Sequence, residues 1–129
     1  MPTGTQLISG VDFIILPTQD YERADHFYGD VLGLERSIQY GDHPAREFET
    51  GNLTIAVMQS DAFGLEFAPH SHPVEFKVDD LAAARGELES RGVEFLQEVD
   101  SGFCTQLFFK DPDGNSLALH HRYIAREDQ

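Results

Sequence analysis

A single cysteine, Cys104, rules out an intrachain disulfide and a cysteine-based zinc site, and leaves that residue the role of a small buried hydrophobe. Basic residues are scarce as well, nine against 23 acidic ones. The resulting formal charge of −14 repels a phosphate backbone or an anionic lipid surface, so neither nucleic acid nor membrane is an expected partner. The first residues, Met1 to Gly10, carry neither a basic leader nor a long apolar run, and a cytoplasmic location is the expectation. The chain has no glycine-rich phosphate loop, no Gly-x-Ser-x-Gly elbow and no Cys-x-x-Cys pair, which disfavours nucleotide-driven and serine-hydrolase chemistry.

What is present suits one soluble domain spanning residues 1–129. Hydrophobic residues make up 40% and charged residues 25% of the chain, and a chain of this length buries about two-thirds of its unfolded surface. The acidic field serves solubility and also raises the local concentration of cationic small molecules.

The run Val11–Leu16 is apolar and branched, and reads as a strand stopped by Pro17. Asp20 then caps a helix in which Ala24, Phe27, Tyr28, Val31 and Leu32 recur at helical spacing up to a left-handed stop at Gly33. Strands are expected near Glu35–Tyr40, Arg46–Thr50 and Leu53–Gln59, the last two joined by a tight turn at Gly51-Asn52. Residues 60–72 lack a period and form a connector.

The pattern then restarts with a strand at Val74–Val78 and a helix capped by Asp80 that ends at Gly92. Within that helix, Gly86 costs about 1 kcal/mol relative to alanine, which packing is expected to offset. Strands near Glu94–Gln97, Cys104–Lys110 and Ser116–His121 follow, the last two separated by the turn Asp111-Pro112-Asp113-Gly114. Aligning Asp20 with Asp80 brings Ala24 onto Ala84 and Gly33 close to Gly92. The chain therefore reads as two β-α-β-β-β modules, 11–59 and 73–121.

Three stretches carry a family resemblance. These are Gln19 to Tyr28 with Val31-Leu32-Gly33-Leu34, then Phe76 to Leu81, then Phe109 to Asn115. Together, in this order, they resemble the signature stretches of the vicinal-oxygen-chelate superfamily of glyoxalases, bleomycin-resistance proteins and extradiol dioxygenases. The resemblance implies an α+β fold in which the sheets of two βαβββ modules form a cup around a small molecule. It also implies a homodimer.

Enzymes of that superfamily hold a divalent metal through His, Glu or Gln side chains from four strands, which polarises vicinal oxygens of the substrate. The corresponding positions here are Phe13, seven residues before Asp20, and Pro73, seven before Asp80. The others are Ala118 after the Asp-Pro-Asp-Gly turn, and Ile55 or Ala56 after Gly51-Asn52. None of these side chains can ligate a metal, so no cofactor is expected. Alternation in phase with these positions gives a candidate lining of Phe13, Ile15, Met58, Glu75, Phe108, Ala118 and His120.

Within that lining, His120 and Glu75 are the candidate acid-base pair, and Glu75 is also a candidate contact for a cationic ligand. His70, His72, Glu75 and His120 together are the candidate ligands of a displaced divalent metal, and Arg46 is a candidate anion contact at the mouth. The leading expectation is a protein that binds a small organic molecule, cationic on the charge argument, as bleomycin-resistance proteins sequester a drug. The alternatives are a glyoxalase-like lyase or isomerase, a dioxygenase, or an interaction module with a filled cup.

Overall fold

The computed structural model describes residues 6–128. Eight strands form two separate four-stranded sheets. The first holds β1 (Ile14–Thr18), β2 (Glu35–Gln39), β3 (Ala45–Glu49) and β4 (Thr54–Gln59) in the order β1-β4-β3-β2. The second holds β5 (Val74–Lys77), β6 (Gln97–Asp100), β7 (Cys104–Lys110) and β8 (Ser116–Arg122) in the matching order β5-β8-β7-β6. Helix α1 (Tyr21–His26) follows β1 and helix α2 (Leu81–Ser90) follows β5, so each half is β-α-β-β-β as the repeat predicts. The architecture is α+β, and neither sheet closes into a barrel. No helix among the described residues is long and apolar enough to cross a membrane.

Each helix starts where an aspartate can accept from an amide of its first turn. Asp20 accepts from the Arg23 N–H at 3.2 Å and Asp80 from the Ala83 N–H at 3.0 Å. The first helix then departs from the sequence reading, because Phe27–Val31 widens into a π-turn in which the Leu32 N–H reaches the Phe27 carbonyl at 2.9 Å. The Arg36 guanidinium lies against this turn and bonds Asp25 through its carboxylate and its carbonyl. A β-carbon at Gly29 would meet this guanidinium, which would have to move aside and disturb its bonds to Asp25.

Three further expectations need correction. Pro17 lies inside β1 instead of ending it. The strand is at a sheet edge, and the Pro17 carbonyl turns away from β4 to accept from Asn115 Nδ2 at 2.8 Å, so the missing N–H costs the ladder nothing. The strand expected at Glu94–Gln97 begins only at Gln97, after Val93 and Phe95 have packed into or against the core. Gly86 is exposed, with nothing within 4 Å of where its β-carbon would stand, so no packing offsets its helix penalty.

One side of each sheet shares a single core. Leu16, Phe48, Ile55 and Val57 of the first sheet join Leu107, Phe109, Leu117 and Leu119 of the second, with Ala24, Phe27, Tyr28 and Leu88 from the helical segments. At the junction lies a buried carboxylate, Asp111. Its Oδ1 accepts from the amides of Asp113 and Asn115, each at 2.9 Å, and its Oδ2 accepts from the Tyr28 hydroxyl at 2.6 Å and Asn115 Nδ2 at 2.7 Å. Asp113 accepts from the Thr18 hydroxyl at 2.5 Å, the Gln19 N–H at 2.9 Å and Arg23 Nη2 at 3.0 Å.

Two predictions follow from these packing facts. Gly86→Ala should stabilise the fold by about 1 kcal/mol, a rise of about 4 °C in the melting temperature of a chain this size; an unchanged melting curve would contradict the reading. Tyr28→Phe should cost about 2 kcal/mol at pH 7, because a buried carboxylate oxygen loses one of its two donors. Burial first, then the charge of Asp111 and the bond to it, push the Tyr28 phenol well above its ordinary value. Above about pH 10 the unfolded chain gives up a phenolic proton that the folded chain keeps. Stability should therefore be full below that pH and fall as the pH rises further, with a shallower fall in Tyr28→Phe when denaturant melts are compared between pH 9 and 11.

Candidate functional site

The core uses one side of each sheet, and strand alternation assigns the remaining side chains to two open faces. On the first sheet, Ile15 pairs with Ala56 and Ala56 with Glu47, while Pro17 pairs with Met58 and Met58 with Ala45. Phe13, two residues before Ile15, continues this face. The alternative left open between Ile55 and Ala56 resolves in favour of Ala56, since Ile55 pairs with Phe48 and lies wholly in the core. On the second sheet, Glu75 pairs with Ala118 and Ala118 with Phe108, while Lys77 pairs with His120 and His120 with Gln106.

The seven predicted lining residues thus divide between two faces. Ile15 and Met58 belong to the first sheet, with Phe13 just ahead of β1, and Glu75, Phe108, Ala118 and His120 belong to the second. Ala56 and Ala118 occupy corresponding points on the central strands β4 and β8 and are both 0% exposed, walled in by longer neighbours. Phe13 and Ile15 are 39% and 41% exposed and leave apolar surface uncovered beside this face.

The structure also shows which polar groups are committed. Glu75 accepts from Gln106 Nε2 at 2.6 Å through Oε2, and the His120 imidazole bonds no described side chain. The acid-base pair suggested by sequence therefore shares a face without sharing a hydrogen bond. Arg46 does not stand at a mouth. It lies on the helix side of β3, bonding Gln39 at 3.0 Å with Asp25 at 3.9 Å, because it pairs with the core residue Val57 and shares its face. Among the described residues, no three His, Cys, Asp or Glu side chains are gathered closely enough to hold a metal ion. Phe13, Ala56, Pro73 and Ala118 offer no donor atom, so the side chains at these positions do not fit a divalent cation.

Sequence reasoning missed a polar cluster on the first open face. Glu47 Oε2 accepts from the Tyr40 hydroxyl at 2.7 Å; Glu49 accepts from Ser37 Oγ and Thr54 Oγ1, each at 2.6 Å. Burial and the Glu47 carboxylate raise the Tyr40 phenol to about 12, and the two hydroxyls hold the Glu49 carboxyl below its ordinary value. The period-two pattern Arg46-Glu47-Phe48-Glu49 was the available signal, because a buried Phe48 sends both glutamates to the opposite side.

A cavity of about 710 Å³ opens elsewhere, between the free edge of β5, helix α2 and the β3–β4 turn. It takes in Val74 to Val78 with Leu32, Leu53, Leu88 and others, and includes only Glu75 among the predicted residues.

Comparison with known proteins follows the same outline. The sequence model of the Glyoxalase/Bleomycin resistance protein/Dioxygenase superfamily matches residues 10–119. An antibiotic binding protein from a Streptomyces species superposes with a TM-score of 0.76 at 23% identity, over 92% of this chain and 99% of that one. A fosfomycin resistance protein from Listeria monocytogenes gives 0.74 at 20% identity, over 95% and 98%. Lactoylglutathione lyase from Agrobacterium tumefaciens gives 0.72 at 19% identity, over 90% and 96%. At these identities the likeness is one of fold.

Since the His120 imidazole has no described partner, His120→Ala should leave the melting temperature within about 2 °C of the parent. A larger drop on thermal denaturation would show that the ring supports the fold.

Proposed function

This chain belongs to the Glyoxalase/Bleomycin resistance protein/Dioxygenase superfamily, and from that premise we propose that it captures a small organic molecule on its open sheet faces without a metal and without converting it. The observation that carries this reading is the pair of buried alanines, Ala56 and Ala118. They stand at matching points on the two central strands, where the resemblance expects metal ligands. With methyl groups there, the faces offer shape and apolar contact in place of Lewis acidity. The uncoupled Glu75 and His120 add support, because general acid-base work needs a base held against its proton. The fold of the antibiotic binding protein is a precedent for small-molecule capture on this scaffold.

The working unit in this proposal is a homodimer. Strands β1 and β5 are both edge strands, each with a backbone row that has no strand partner, and Phe13 and Ile15 lie exposed on or beside β1. A two-fold arrangement joining β1 of one copy to β5 of the other would cover both edges twice and place the first open face of one chain beside the second open face of its partner.

Sedimentation should report twice the 14.5 kDa chain mass. Protein stripped with EDTA should bind the neutral dye Nile red as tightly as untreated protein. Phe13→Ala and Ile15→Ala, at partly exposed positions that the core does not need, should each weaken that binding about fivefold. Binding that returns only on adding zinc, manganese or nickel would sink the metal-free reading. Equal affinity in all variants would remove the ligand from this face.

A further inference from the structure

The basic side chains on the open faces all belong to the second sheet, where Lys77, Lys110 and Arg122 accompany His120. Among the described residues, the open face of the first sheet carries no basic group. Its polar side chains are Glu35, Glu47 and Glu49 with Ser37, Tyr40 and Thr54, set beside the apolar Phe13, Ile15, Pro17, Ala56 and Met58.

The three carboxylates are not equivalent. Each oxygen of Glu49 already accepts a hydroxyl, one from Ser37 and one from Thr54. Glu35 is exposed at the outer edge strand with nothing holding it. Glu47 is half-buried, stands directly beside the Ala56 floor, and is fixed through Oε2 by the Tyr40 hydroxyl, while no described donor reaches Oε1. Tyr40, whose phenol keeps its proton up to about 12, can only serve as the donor in that pair at neutral pH.

Resting on the reading of these faces as a small-molecule site, we infer that Glu47 is its specificity-determining residue and selects an organic cation, with an ammonium or amidinium nitrogen on Oε1 and an apolar body laid against Ile15 and Met58, the longer side chains that wall in Ala56. Tyr40 is a positioning residue that acts through Glu47. A cation placed there would have one oriented carboxylate and no competing positive charge on its face. An anion of the same shape would meet three carboxylates.

Three probes of one ring system separate this inference from the reading beneath it: 9-aminoacridine as the cation, acridine as the neutral analogue at pH 7.5, and acridine-9-carboxylate as the anion. Fluorescence titration of the full chain should give 9-aminoacridine an affinity about tenfold above acridine, the worth of one charge-assisted hydrogen bond, and acridine-9-carboxylate the weakest. Glu47→Gln should erase the cation preference while leaving acridine affinity unchanged. Tyr40→Phe should reduce the preference about threefold, and Glu49→Gln should leave most of it. In the parent protein the preference should shrink as salt rises while acridine binding holds, a measurement that stands even if a variant fails to fold.

Equal affinity for the cationic and neutral probes, or a Glu47→Gln variant that weakens both alike, would overturn the role of Glu47 and leave the small-molecule reading in place. Failure of all three probes to bind the parent chain would overturn both.

Discussion

The two halves of this chain are held in one relation by a buried carboxylate. Asp111 has four acceptor positions, and burying them unfilled would cost more than any nearby apolar contact returns. The turn that carries Asp111 fills two of them with its own amides, those of Asp113 and Asn115. The remaining two take the Asn115 side chain and the hydroxyl of Tyr28 from the other half. Asn115 extends the link by donating to the Pro17 carbonyl and accepting from the His70 N–H, so β1, the connector and the turn before β8 converge on one polar knot. Because each member is satisfied only when both modules are docked, the knot favours one mutual placement over the many that apolar packing alone would tolerate.

That placement decides which surfaces are left over. Docking consumes the core side of each sheet, and what remains free is the opposite side together with the edge strands β1, β2, β5 and β6. The duplicated backbone then sets equivalent side chains at equivalent points, Ile15–Ala56–Glu47 on one face and Glu75–Ala118–Phe108 on the other. The repeat survives in the backbone and in the small residue at the centre. It has diverged in the flanks, where an apolar and an acidic residue have exchanged sides.

Much of the fold was legible because its signals are local. Asp20 and Asp80 cap the helices, Gly33 and Gly92 adopt positive φ, and all eight strands have bounds within three residues of those expected. The failures have physical causes that a linear pattern does not carry. Pro17 fits a strand only because that strand has a free edge, and the π-turn after His26 lies against a guanidinium that arrives from β2. Asp111 and Asn115 could be recognised as a turn and a family stretch, yet their partners Tyr28 and Pro17 lie 83 and 98 residues away. The open faces were half legible for the same reason. Alternation puts Ile15, Glu75, Ala118 and His120 on the faces away from the core, in keeping with the strand pairing, whereas Glu47 on β3 went unnoticed.

Net charge alone is a poor guide to what such a surface binds. A charge of −14 spread over the chain acts through water and is screened within about 8 Å at physiological salt, so it concentrates cations near the protein without selecting any. Selection requires a carboxylate whose surroundings lose water when the ligand arrives, since a pair of charges at contact gains about four times more at an effective dielectric of 20 than in bulk water. Glu49 is already held by a hydroxyl on each oxygen, and Glu35 is exposed on an edge strand. Glu47 is flanked by methyl and aliphatic groups and oriented by a hydroxyl that is itself partly buried. An apolar body covering Ile15 and Met58 would strip water from its free oxygen, and the same contact that provides affinity would then sharpen discrimination by charge.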